Sequence, residues 1–281
     1  MEEFHYRLGW RSRGHLPGAH RATQSGAGFE FVGHRSLANG GDARRLDIRA
    51  SLRDPFERWQ VRVFSQRSAV PVVLVADLSA SMAIHGQQDK WATLTRFART
   101  LAWSVSRNGD LFSFVGCDDA VRADLFIPPT QRRGAALELT TRLDAARPAG
   151  RSGAGGLLQA FQWLPQRRSL VFLLSDFHFP LAVAEQLLAS LRMHDIVPVV
   201  LWDPVETCVP RGRGLLRLQD SESGRHRMVW LRPGLQERWR QTLGERRTAL
   251  RRLCELRGRA ALIIERAVDP DQITRYFHAS A

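Results

Sequence analysis

Lysine occurs once in 281 residues, at Lys90, although 41 residues are Lys or Arg. Cysteine occurs three times and tyrosine twice. Cys117, Cys208 and Cys254 are too few and too scattered for a disulfide framework, and no CxxC pair offers a structural zinc site. Cys117 and Cys254 fall in apolar patterns, which reads as buried thiols in a reducing compartment. No uninterrupted apolar run approaches the roughly 20 residues that a membrane-spanning helix needs. The opening MEEFHYRLGWRSRGH lacks the apolar segment of a secretory signal. The expectation is a cytoplasmic protein with no membrane span. Internal repeats and low-complexity tracts are also missing, which excludes a solenoid.

Hydrophobic residues make up 44% of the chain, enough to fill one large core or two modest ones. The formal net charge is +13. Such a balance suits nucleic acid, an anionic membrane surface or an acidic protein partner. Arginine richness also follows from a GC-rich genome and needs no function. The charge is spread along the chain without aromatic–basic alternation or a recognised binding motif, so nucleic acid is not the expected partner.

Residues 1–68 are rich in Gly, Arg and His and lack long apolar runs. They read as an irregular, partly β extension, with strand-like segments at Gly28–Gly33 and Trp59–Phe64. Residues 69–281 change pattern. Val72–Ala76 is wholly apolar, as a central parallel strand is. Asp89–Arg107 places Trp91, Leu94, Ala98, Leu101 and Val105 on one helical face. Strands are expected at Leu111–Cys117, Val121–Ile127, Ser169–Phe177, Asp195–Asp203 and Ala260–Glu265. Helices are expected at 131–146, 154–164, Leu181–Met193 and Leu235–Leu256, and one after Asp269. A hairpin insertion is expected near 212–233. Strands alternating with helices predict an α/β fold, a doubly wound and mostly parallel sheet covered on both faces.

The strand Val72–Ala76 ends in DLSAS, and the strand Ser169–Phe177 ends in SDF. In a doubly wound sheet, ligands sit outside the carboxyl ends of strands. Asp77, Ser79, Ser81 and Asp176 would then converge on one point. Carboxylates and hydroxyls are hard oxygen ligands, suited to Mg²⁺, Ca²⁺ or Mn²⁺. The plainer alternative is that Asp77 or Ser79 caps the next segment and Asp176 is a loop residue. A serine hydrolase would need a histidine base and a nucleophile elbow. No GxSxG occurs, and His85 and His178, near strand ends, read as surface or loop residues.

DxSxS with a later strand-end aspartate resembles the metal-ion-dependent adhesion site, or MIDAS, of von Willebrand factor A domains. GGDARRLDIRAS (Gly40–Ser51), DLSASM, RNGD, SLVFLLSDF, HDIVPVVLWDP and LQDSESG together resemble the bacterial domain-of-unknown-function family fifty-eight. The opening FHYRLGW and the stretch RASLRDPFERWQVRVFSQRSAVPV are most similar to its MxaS branch, associated with methanol dehydrogenase maturation. The resemblance implies a von Willebrand factor A-like domain, usually found with AAA+ ATPases of the MoxR type. It implies a binding module and not an enzyme, acting as a chaperone-like adaptor in calcium insertion into a metalloenzyme. The metal ligands implied are Asp77, Ser79, Ser81 and Asp176, and the rim of that site is the implied partner-binding surface. The family's remaining ligand is a threonine, and alignment puts Gly155 there; Ser152 is the substitute if the loop shifts. The partner implied is a MoxR-type ATPase together with an acidic client, steered by the basic surface. A generic interaction module with an unrelated client and a metal-dependent hydrolase are the alternatives. The arginines of Leu235–Leu256 read as a solvated face, or as a docking face for an acidic partner.

Overall fold

Pro71–Asp77, Leu111–Cys117 and Leu170–Ser175 are apolar at almost every position, so they can only be strands buried on both faces, and the structure places them side by side. This structure is a computed structural model, and it describes residues 3–12, 16–26, 30–83, 86–146, 154–207, 213–219 and 226–279. Two compact units divide the chain. One comprises Leu8–Val70 with Asn108–Asp110, the other Met1–Arg7, Pro71–Arg107 and Leu111–Ala281.

The smaller unit holds β1 (Pro17–Gly26), β2 (Glu30–Ser36), the short helix α1 (Ile48–Leu52) and β3 (Gln60–Ser68). They form an antiparallel sheet in the order β1-β3-β2. β1 has no apolar alternation and was not expected as a strand. Its ladder with β3 is irregular between Pro17 and His20 and between Arg21 and Ser25. Asp47 caps α1, accepting from Ala50 N–H at 3.0 Å. Its other oxygen accepts from Arg62 Nε at 2.8 Å and lies 3.1 Å from His34 Nε2.

The larger unit runs β4 (Pro71–Asp77), α2 (Lys90–Arg107), β5 (Leu111–Cys117), β6 (Ile127–Thr130), α3 (Ala135–Ala145), α4 (Ala154–Gln159), β7 (Leu170–Ser175), α5 (Leu181–Ser190), β8 (Asp195–Leu201), α6 (Pro204–Thr207), β9 (Gly214–Gln219), β10 (His226–Leu231), α7 (Pro233–Arg257), β11 (Leu262–Ile264) and α8 (Pro270–Ala279). Six strands make the sheet β11-β8-β7-β4-β5-β6, parallel except for β6. This is the doubly wound α/β architecture expected. β9 and β10 form the expected hairpin as a separate two-stranded sheet. β6 begins where the expected strand Val121–Ile127 ends. Val121 makes only a single bridge to Cys117, and Arg122, bonded to Asp118 and Asp124, turns the chain first. β6 then carries Pro128 and Pro129, which an edge strand tolerates.

The core is fully buried from β4 through β5, β7 and β8. Phe172 of β7 packs edge-on against Phe4, Phe97 and Phe277 at 6.2, 5.8 and 6.0 Å between ring centres. Phe4 explains why the first residues belong to this unit. Cys117 and Cys254 are buried, and burial pushes both thiols up, Cys254 to about 12. Cys208 lies outside the described residues. Among the described residues, no helix is long and apolar enough to cross a membrane.

Candidate functional site

β4 is the strand at which the sheet reverses its winding. It pairs with β5 on one side and with β7 on the other. The connections from β4 and β7 therefore diverge, and a crevice opens outside their carboxyl ends. Ala76 is in register with Leu174, so Asp77 and the pair Ser175–Asp176 leave the sheet together.

Hydrogen bonds join what the strands deliver. Ser175 Oγ donates to Asp77 Oδ2 at 2.7 Å, and Ser79 N–H donates to Asp77 Oδ1 at 3.0 Å. The hydroxyls of Ser79 and Ser81 lie 3.1 Å apart. His178 N–H donates to Asp176 Oδ1 at 3.2 Å. Asp77, Ser79, Ser81 and Asp176 are all buried, so the four residues singled out from sequence form one cluster. Ser152 and His85 lie outside the described residues. Gly155, the second residue of α4, lies close to the chain after β5: a Cβ there would stand 3.2 Å from the Asp119 carbonyl oxygen, and one at Gly156 only 2.6 Å from that of Asp118. A threonine at 155 fits only if Asp119 yields.

Three further groups, missed in the sequence, complete the cluster. The Lys90 side chain is fully buried. Its Nζ donates to Asp176 Oδ2 at 3.0 Å, to Glu206 and, at 3.5 Å, to the Ser81 carbonyl. Asp89 caps α2 through Ala92 N–H at 2.9 Å, fixing the turn that carries Lys90. Asp203 accepts from the backbone N–H groups of Gln87 at 3.1 Å, Gln88 at 2.9 Å and Val205 at 2.8 Å. It ties the loop before α2 to the end of β8. Gly86 is required there, because a Cβ would lie 2.4 Å from Asp203 Oδ2. The signal available in the sequence was Lys90 itself, one lysine kept where arginine serves everywhere else.

The turn holding Asp176 is strained. Phe177 has φ 55°, a left-handed backbone rare for a bulky residue. Arg246 of α7 donates to the carbonyls of Phe177, at 2.8 Å, and Phe179. Arg247 lies over the Trp202 ring at 4.2 Å and bonds Glu265 at 3.0 Å. These two arginines of the basic helix therefore make structural contacts.

The electrostatics divide the carboxylates. Burial raises Asp77 and the charge of Asp176 adds to this; hydrogen bonds from Ser175 and Ser79 oppose them, and the result is about 6. Burial also acts against Asp176, but the positive charges of His178 and Lys90 hold it below the ordinary carboxylate range. For Lys90, burial is outweighed by Asp176 and Glu206, which push it up. His178, 37% exposed, is likewise raised despite burial, chiefly by its bond to Glu206 at 3.2 Å. Asp203 stays below its usual range against burial because three backbone N–H groups stabilise its charge.

The donor set suits a hard divalent cation: two carboxylates and two hydroxyls converge, and among the described residues no side-chain cation bonds Asp77. Among the described residues, the hydroxyls of Ser79 and Ser81 bond each other, and His178 bonds Glu206 instead of a serine.

Residues 33–249 match the family described as "Protein of unknown function DUF58". A Paracoccus denitrificans protein described as "Uncharacterized protein in moxR 3'region" is 39% identical over 95 residues, 34% of this chain and 90% of its own length. Among solved structures, BatB from Bacteroides thetaiotaomicron is similar with a TM-score of 0.46 and 11% identity, over 75% of this chain and 98% of its own. Proximal thread matrix protein 1 from the mussel byssus, solved with a zinc-occupied MIDAS motif, gives a TM-score of 0.34 and 16% identity over 47% of this chain and 38% of its own.

Proposed function

Because the chain belongs to the DUF58 family, we propose that it is a non-enzymatic protein-interaction module whose contact point is the strand-end cluster, working with a MoxR-type AAA+ ATPase. The observation that carries this reading is the meeting of Asp77, Ser79, Ser81 and Asp176 at the switch point of the sheet. A hard divalent cation, Mg²⁺ or alternatively Ca²⁺ or Mn²⁺, would be held there by Asp77, Ser79, Ser81 and Asp176 and would supply positive charge for a partner's Asp or Glu. Asp77 and Asp176 provide the compensating negative charge, and Ser79 and Ser81 add neutral oxygens. Backbone pairing of β4 with β7 keeps the two halves of the set at fixed spacing. The net charge of +13 steers an acidic partner toward the surface.

The relative in the moxR 3' region supports the ATPase as partner. The blocks resembling the MxaS branch support a metalloenzyme client, with methanol dehydrogenase the one that branch implies. The test is capture of a co-expressed MoxR-type ATPase by the intact chain and by Asp77→Ala, each with excess Mg²⁺ and with EDTA. The expected result is capture by the unaltered chain in Mg²⁺ alone. Equal capture by both proteins in both buffers would overturn the ion-bridged contact.

A further inference from the structure

Lys90 touches two of the four residues assigned to the cation. Its ammonium has three N–H groups, and three acceptors surround it: Asp176 Oδ2, Glu206 Oε1 and the Ser81 carbonyl. We propose that Lys90 is a built-in counter-ion that competes with a divalent ion for Asp176, so that the cluster holds either the ammonium or the metal at that carboxylate. This rests on reading the cluster as a cation site and goes further by naming its internal competitor.

The geometry supports exchange over co-occupancy. Asp176 Oδ2 is the oxygen that the buried Lys90 ammonium holds, at 3.0 Å, so a cation drawn to that oxygen meets the ammonium there. A divalent ion on that oxygen would stand next to a buried ammonium, where water screens little. Lysine also suits the role better than arginine. Its head is a compact point charge on a four-carbon stem, whereas a guanidinium is a planar fork. Departure from Asp176 does not strand the charge, because Lys90 is already bonded to Glu206 on α6, which is partly exposed. The lysine can thus release Asp176 and keep one carboxylate partner.

Mn²⁺ is the probe, titrated into the full chain and read by calorimetry and electron spin resonance. The unaltered protein is expected to bind it weakly. Lys90→Gln should bind at least about tenfold more tightly, and adding Asp77→Asn should abolish that gain. Because Lys90 is the only lysine, amine labelling followed by mass spectrometry reads it directly in the unaltered protein, whatever the fate of the variant. Labelling should be slow in EDTA and several-fold faster in saturating Mn²⁺. Equal Mn²⁺ affinity with and without Lys90, or saturation that leaves Lys90 equally protected, would overturn the competition and leave the cation site standing. Absence of Mn²⁺ binding in both proteins would overturn the cation site and the competition together.

Discussion

Two aspartates, one in each unit, solve the same problem differently. Asp47 in the smaller unit is half of an ordinary capping arrangement. Arg62 first, then Ala50 N–H and His34, hold it well below the usual carboxylate range. Asp77 in the larger unit is more deeply buried yet, among the described residues, bonds only neutral groups, and burial with the Asp176 charge raises it to about 6. Burial comes first among the causes at Asp77 and is minor at Asp47, and the sign of the charges nearby adds to the separation. A carboxylate whose neighbours complete it is structural. One left with surplus negative charge among rigid strands is a place where a cation adds stability.

That contrast can be broken most forcefully at Lys90. Lys90→Met leaves Asp176 and Glu206 in a buried cluster without their shared cation, and should lower unfolding free energy by about 3–5 kcal/mol in a urea titration. An effect below about 1 kcal/mol would mean that the lysine is a bystander. Next is the pH dependence in EDTA, with opposite signs at the two aspartates. The folded-state value of Asp77 is raised, so the native state binds its proton where the unfolded state has lost it. The penalty from Asp77 therefore grows as pH rises from about 4 to about 6 and is full above that range. Asp77→Asn should remove this fall, worth on the order of 1–3 kcal/mol at neutral pH. Asp47 is depressed, so its contribution is present above about pH 4 and is lost as pH falls further. Asp47→Asn should accordingly flatten only the acid limb. Parallel profiles for the two variants would erase the distinction.

Gly86→Ala ranks third. Its methyl group would collide with Asp203, and a loss of about 1–3 kcal/mol is expected by thermal melting. The smallest effect belongs to Arg257→Ala. It removes an exposed pair with Glu185, at 2.6 Å, and should change stability by about 0–1 kcal/mol.

The sheet was legible because its strands are uniformly apolar and its helices periodic, which tertiary contacts then reinforce. In the loop GDARRLD, Asp42 accepts from the backbone N–H of Arg44 at 3.0 Å, and Arg45 Nε lies 4.0 Å from its carboxylate. β1 was illegible because PGAHRATQSG carries no alternation, and only pairing with β3 makes it a strand. The strand-end acids could be found because each closes an apolar run. Glu206 and Asp203 could not. They lie about thirty residues after Asp176, and only the return of β8 beside β7 brings them back to it. His178, read as a surface or loop residue, is indeed exposed and outside helix and strand; its bond to Glu206 is a contact absent from local pattern.

Phe177 holds the backbone beside Asp176 in a conformation that disfavours it by about 1–3 kcal/mol. The clamp is Arg246, nearly seventy residues further along the chain, gripping the carbonyls on either side of the bend. The loop is a sprung latch whose catch sits on a distant helix. Drawing that guanidinium away would leave both carbonyls without its bonds and the bend beside Asp176 resting on its local hydrogen bonds.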